Sequence, residues 1–232
     1  MTKPFALSFS RLNTFETCAA KFDYLYVTKN VKDKDNEFTL YGTRVHEALE
    51  KYGRAFAAAP DTAAAISALE NTGDDVRQHF PIVERILRLG GDTYFEHQMA
   101  ISGAKEPCSW FSPDVWLRAV ADVLVVKGDT AWCIDWKTGK PKADPTQLQL
   151  FAALIFIHFP EVQECRTSYI WLNHDDATNS TFQRSMGPAI WSALSPRFRR
   201  VQEAVDLGVY PTKPSGLCRY CPARTVCSDA RN

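Results

Sequence analysis

Residues 115–138 read VWLRAVADVLVV, KGD, TAWCIDWKT, and the reading of the fold starts there. Two runs rich in Val, Ile and Trp flank the turn Lys127-Gly128-Asp129, which is the pattern of a β-hairpin. In the second run, alternation places Asp135 and Lys137 on one face and Trp132, Ile134 and Trp136 on the other. Asp122 is sunk in the apolar run VADVLVV, where a carboxylate without a partner is costly. Two carboxylates on neighbouring strands beside one lysine suit phosphodiester hydrolysis. Hard oxygen ligands hold a divalent ion, which lowers the pKa of a bound water and neutralises charge on the phosphorus centre. The lysine orients or activates that water, or contacts the phosphate as a compact cation. The same residues also fit an ordinary ion pair at a strand end, because D-x-K recurs by chance.

Outward from the hairpin the chain is helical before it and mixed after it. The spacing predicts a helix over 8–27, opened by Ser8 or Ser10, with Leu12, Phe15, Ala19, Phe22 and Tyr26 on one stripe and Cys18 near its inward edge. A second helix over 40–58 carries Tyr41, Val45, Leu49, Tyr52 and Phe56. Residues 62–71 and 74–95 read as helical, the latter broken near Pro81 and at Gly90-Gly91, and strands begin at about 96 with EHQMAIS. PTQLQLFAALIFIHF (145–159) is apolar nearly all round, so this helix is expected to be buried against the sheet. SYIWLNHD (168–175) reads as a strand paired with TFQRSM (181–186), and a helix from Pro188 to Leu207 stops at Gly208 before a cysteine tail. The expectation is one α/β domain over 1–232, with a helical insertion at 56–95 and a cysteine-rich tail at 209–232.

The composition, 45% hydrophobic and 23% charged over 232 residues, is that of an ordinary globular chain. No window approaches a membrane span, and MTKPFALSFS lacks a signal-peptide pattern, so a cytoplasmic location is expected. Basic and acidic residues both total 27, which excludes a nucleic-acid binder that works by bulk charge but leaves room for a local basic channel. Further candidates lie apart in the sequence. His46 follows Gly42 by one helical turn in YGTRVHEALE, Gln147 opens the buried helix, and Glu96 could extend the carboxylate cluster. Of seven cysteines, Cys218, Cys221 and Cys227 crowd into GLCRYCPARTVC. An odd count without a secretion signal argues against disulfides, and three close thiolates leave a tetrahedral zinc or a four-iron cluster one ligand short. Cys108, Cys133 and Cys165 sit in strand-like runs and read as small core hydrophobes, which leaves Cys18 as the better fourth ligand. Spacing alone fits zinc and iron–sulfur alike.

Taken together, these residues resemble the RecB-like nucleases of the PD-(D/E)xK superfamily. The resemblance rests on Ser8-Phe9-Ser10-Arg11-Leu12 with Phe15, Cys18, Phe22 and Tyr24; on Gly42-Thr43-x-x-His46 with Leu49-Glu50; on Asp122; on Asp135-x-Lys137; and on Gln147 with Phe151. The closing C-x2-C-x5-C with the distant Cys18 is similar to the iron–sulfur staple of nucleases of the CRISPR-associated Cas-four and AddB types. The resemblance implies a central mixed sheet flanked by helices, and metal ligation (Mg²⁺ or Mn²⁺) by His46, Asp122, Asp135 and the backbone carbonyl of Trp136. It further implies Lys137 as the catalytic lysine, Gln147 at the active site, and a 4Fe–4S cluster on Cys18, Cys218, Cys221 and Cys227. Glu96 corresponds weakly to an upstream strand glutamate of the family. Ala19 and Phe151 depart from the proline and tyrosine usual at their positions. The implied activity is a metal-dependent DNA exonuclease or endonuclease acting on single-stranded or end-bearing DNA; the alternative is a non-catalytic DNA-end-binding or adaptor module. Arg197, Arg199 and Arg200 on the late helix, with Arg219, Tyr220 and Arg224 in the tail, are the candidate DNA contacts. The sequence has no G-x-x-x-x-G-K-[ST] phosphate loop, so the nuclease stands alone or borrows a motor, CRISPR or recombination protein as partner, and no membrane is expected.

Overall fold

The computed structural model describes residues 5–33, 36–67, 69, 72–142 and 144–230. Contacts divide the chain into two compact units, residues 1–35, 100–118 and 191–232, and residues 36–99 and 119–190. Among the described residues, no helix is long and apolar enough to cross a membrane.

In the first unit the helix expected over 8–27 is interrupted. Helix α1 (Phe9–Thr17) is capped by Ser8, whose hydroxyl accepts from the Arg11 N–H at 3.3 Å. At Cys18 the backbone is extended, φ −164° and ψ 115°, before α2 (Ala19–Phe22) and a π-helical turn, Asp23–Val27. The hydroxyls of Thr14 and Thr17 donate to the carbonyls of Ser10 and Asn13 at 2.9 and 2.7 Å, the side-chain competition that weakens a helical turn. Cys18 is therefore half-buried at a break rather than on an inward helix face. Phe22 gathers the unit's aromatic core, with the rings of Phe5, Phe15, Tyr26 and Tyr210 at 5.5–6.3 Å.

The second unit holds α3 (Glu37–Ala58), α4 (Thr62–Ser67), α5 (Asp74–Arg77), α6 (Phe80–Leu87) and α7 (Thr146–His158). Part of the helix expected over 62–71 lies outside the described residues. Pro81 sits in the first turn of α6, where its missing N–H has no partner to lose. The chain turns to strand at Asp92 rather than near 96. Gly91 forces this, with φ +105° and a Cβ that would stand 2.3 Å from the Val126 carbonyl oxygen.

The strands are β1 (Asp92–Ser102), β2 (Val115–Lys127), β3 (Thr130–Lys137), β4 (Glu164–Trp171) and β5 (Asp176–Gln183), in the spatial order β1-β2-β3-β4-β5. β1 and β2 contribute residues to both units, as does α8 (Gly187–Leu207). β2 and β3 pair antiparallel through the Lys127–Thr130 hairpin, β3 and β4 parallel, and β4 and β5 antiparallel, so the sheet is mixed. The β4–β5 hairpin lies several residues earlier than expected. Asp175 turns the chain in the left-handed region at φ 46°, and Arg184 draws it off the sheet by donating to the carbonyls of Val162, Phe156 and Phe159 at 2.6–2.8 Å. α7 joins β3 to β4 and is buried along most of its length, as its uninterrupted apolar run requires. On the other face, Val123, Ile134 and Trp136 pack with Val45, Leu49 and Tyr52 of α3.

Candidate metal centre and catalytic cluster

A capping box starts α3. The Asn36 side chain accepts from the N–H groups of Phe38 and Thr39 at 3.0 Å, and Thr39 Oγ1 accepts from the Asn36 N–H at 2.8 Å. Burial of Val45, Leu49 and Tyr52 then fixes the rotation of the helix about its axis. Gly42 lets it come close to the strand ends, because a Cβ there would lie 3.2 Å from Thr138 Oγ1, just beyond β3. This placement carries His46 to β2, with Nδ1 3.3 Å from Asp122 Oδ1.

Asp122 Oδ2 accepts the backbone N–H of Trp136 at 2.6 Å, so the strand beside it orients the carboxylate. Donor atoms of His46, Asp122 and Glu96 all lie within 4.8 Å of one another. Glu96 reaches this group from β1 in a backbone conformation that L-residues rarely adopt, φ 49°. Burial together with the charges of Asp122 and Glu50 pushes its carboxyl up. Burial pulls the His46 imidazole down, but the hydrogen bond and charge of Asp122 outweigh it and the net shift is upward. A cavity of about 360 Å³ opens over Gly42, Thr43, His46, Glu47, Glu50 and Glu96. One imidazole and two carboxylates, crowded enough to raise a carboxyl pKa, form a donor set that suits a divalent cation.

Asp135, Lys137 and Gln147 form a second group. Asp135 is buried, pairs through Oδ2 with Lys137 Nζ, and accepts at Oδ1 from Gln147 Nε2 at 2.8 Å. Lys137 closes the ring by donating to Gln147 Oε1 at 3.1 Å. Burial pushes the Asp135 carboxyl up, Lys137 pulls it down, and the charge of Asp122 raises it again. The sequence reading had Asp122 and Asp135 sharing one ion. The three converging donors found here take Glu96 in place of Asp135, whose two oxygens face Lys137 and Gln147. The Trp136 N–H joins the two groups, and its indole is buried in the core. The +49° φ that aims Glu96 leaves no trace in spacing, although its place on the first strand marked it as a candidate.

In the first unit, Cys18, Cys218, Cys221 and Cys227 all line one cavity of about 200 Å³. The Ser215 N–H donates to Cys218 Sγ at 3.2 Å. Cys133 and Cys165 are buried in the sheet, and burial pushes both thiols up, that of Cys165 to about 12. Of the candidate DNA contacts, Arg197 is held by Glu16 through two hydrogen bonds of 2.7 and 2.6 Å, and Arg200 lies 3.7 Å from the same carboxylate. Arg199 and Arg224 are exposed, and Arg219 stacks at 4.7 Å on the exposed ring of Tyr220.

The chain belongs to the PD-(D/E)XK nuclease superfamily, whose family model matches residues 6–228. Nucleases of this superfamily use divalent metals and act on DNA. Among solved structures, a "Putative exonuclease" from Eubacterium rectale is similar with a TM-score of 0.53 at 13% identity, covering 98% of this chain and 91% of that one. The crystal structure of SSO0001 is similar with a TM-score of 0.43 at 13% identity, covering 100% of this chain and 90% of that one. At 13% identity the likeness to the first of these is one of fold. No curated protein matches the chain.

Proposed function

We propose that the protein is a metal-dependent DNA nuclease of the RecB-like type, an exonuclease hydrolysing phosphodiester bonds in single-stranded or end-bearing DNA. The observation that carries the reading is the convergence of His46, Glu96 and Asp122 within 4.8 Å, joined through the Trp136 amide to the Asp135–Lys137–Gln147 ring. In this reading His46, Asp122 and Glu96 would hold Mg²⁺ or Mn²⁺, and Asp135 and the Trp136 carbonyl, ligands by the family resemblance, would join them once the ion draws an Asp135 oxygen from Lys137 or Gln147. The ion supplies a bound water of lowered pKa and offsets charge on the phosphate. Gln147 keeps the carboxylate of Asp135 and the ammonium of Lys137 in fixed orientation, and Lys137 Nζ orients the attacking water or contacts the phosphate.

The shared cavity of Cys18, Cys218, Cys221 and Cys227 supports a 4Fe–4S cluster of the CRISPR-associated Cas-four and AddB kind, which would tie the break after α1 to the tail. Arg199, Arg200, Arg219, Tyr220 and Arg224 are the DNA contacts of this reading. Arg197 supports α8 through Glu16 instead of reaching the strand. The protein partner is a motor, CRISPR or recombination protein, and the compartment the cytoplasm.

Digestion of 5′- and 3′-labelled single- and double-stranded DNA, with Mn²⁺ against EDTA, tests the enzyme. Metal-dependent shortening from an end is expected; binding without cleavage would turn the reading to a DNA-end-binding module. Iron and acid-labile sulfide in anaerobically purified protein test the cluster, and a colourless zinc protein would overturn it.

A further inference from the structure

Tyr169 touches Lys137 and the residue that caps the helix carrying Gln147. It stands on β4 in parallel register with Asp135, which brings its ring to the face of the sheet that carries Asp135 and Lys137. Lys137 Nζ lies 5.0 Å from the ring centroid, within the range at which an aromatic face holds an ammonium. The ring is almost fully buried. At its far end the hydroxyl donates to the Asp144 carbonyl oxygen at 3.3 Å. Asp144 in turn starts α7, because its Oδ1 accepts the Thr146 N–H at 2.9 Å where Pro145 at the N-cap offers no side-chain oxygen. A tyrosine on the neighbouring strand thus holds the residue that caps the helix carrying Gln147.

We infer that Tyr169 is a positioning residue for hydrolysis, setting the Lys137 ammonium with its ring and the reach of Gln147 with its hydroxyl. Gln147 bonds to both Asp135 and Lys137, so a small axial shift of α7 would disturb both contacts at once. The inference rests on the nuclease reading above. Its two halves are separable, because Tyr169→Phe keeps the ring and loses the bond to Asp144, whereas Tyr169→Leu loses both.

The first test is amine acylation of the metal-free protein without DNA, followed by mass spectrometry, with exposed Lys51 as the internal reference. Lys137 should react about tenfold faster in Tyr169→Leu, the worth of a desolvated cation–π contact, and near the wild-type rate in Tyr169→Phe. The second is steady-state cleavage well below the melting temperature. Tyr169→Leu should lower kcat roughly a hundredfold at unchanged KM for DNA, as expected when reacting groups are slightly misplaced. Tyr169→Phe should lower kcat about fivefold, the worth of one lost hydrogen bond to the residue that caps α7. Should Tyr169→Leu fail to fold, Tyr169→Met replaces it, keeping bulk without a ring. Equal Lys137 reactivity in every variant, or variants that lose only thermal stability, overturns the inference. A wild-type protein that cleaves no DNA sinks the nuclease reading, while the acylation result still decides whether Tyr169 sets the lysine.

Discussion

His46, Asp122, Asp135, Lys137 and Gln147 stand on α3, β2, β3 and α7, with Val45, Val123, Ile134 and Leu148 buried around them. The four cavity cysteines stand on a helix break and on turns, and among the described residues beyond 208 only Ala223 is buried. The first set is held by apolar contacts between packed strands and helices. The second has few apolar contacts to hold it, so its order should depend on what the thiols bind. A carboxylate site on packed strands can therefore lose its metal and keep its shape. A thiolate site on turns should loosen instead.

The sharpest way to break this contrast is to remove a carboxylate. Asp135→Ala, and likewise Asp122→Ala, should lower cleavage at least about a hundredfold, beyond the cost usual for a residue that merely supports a ligand. Circular dichroism and DNA binding should stay near wild type, and near-normal turnover would show the assignment to be wrong. Lys137→Ala should cost about 10²–10³-fold in kcat, the range for a group acting on the proton or the developing charge. Titration calorimetry should show that this variant still binds Mn²⁺.

Cys221→Ser probes the other region. It should bleach the visible absorbance and open residues from about 209 onward to limited proteolysis, with a smaller loss of cleavage, while the fragment carrying the sheet stays protected. A tail that resists protease in an iron-free wild-type protein would erase the contrast. The smallest effect belongs to the brace between α1 and α8. Arg197→Ala removes a half-buried bidentate pair with Glu16 and should lower stability by about 1–2 kcal/mol, discounted for partial exposure. Denaturant unfolding measures it, and cleavage by the folded fraction should change little.

Much of the site was legible because its parts lie on strongly patterned segments. Alternation in TAWCIDWKT put Asp135 and Lys137 on one face, and the ion pair between them agrees. The apolar run 145–159 announced a buried helix, and Gln147 at its start reaches both residues. Asp122 inside an apolar strand required a partner, and it has two, His46 and the Trp136 amide.

By itself the sequence determined which segments alternate, which are apolar all round, where the hairpin turns, and which residue types could hold metal. Those properties depend on spacing within a dozen residues, and backbone geometry converts spacing directly into faces. Only the tertiary structure decided that Glu96 joins His46 and Asp122, because a left-handed backbone at one strand residue aims it there. The break of the first helix at Cys18 and the earlier β4–β5 pairing likewise emerged only in the structure, where Thr14, Thr17 and Arg184 bond to backbone carbonyls beside them. Tyr169 lies 34 residues beyond Asp135 and meets it only through the parallel register of β3 and β4. No local period encodes such a meeting, since register is chosen by everything the sheet packs against.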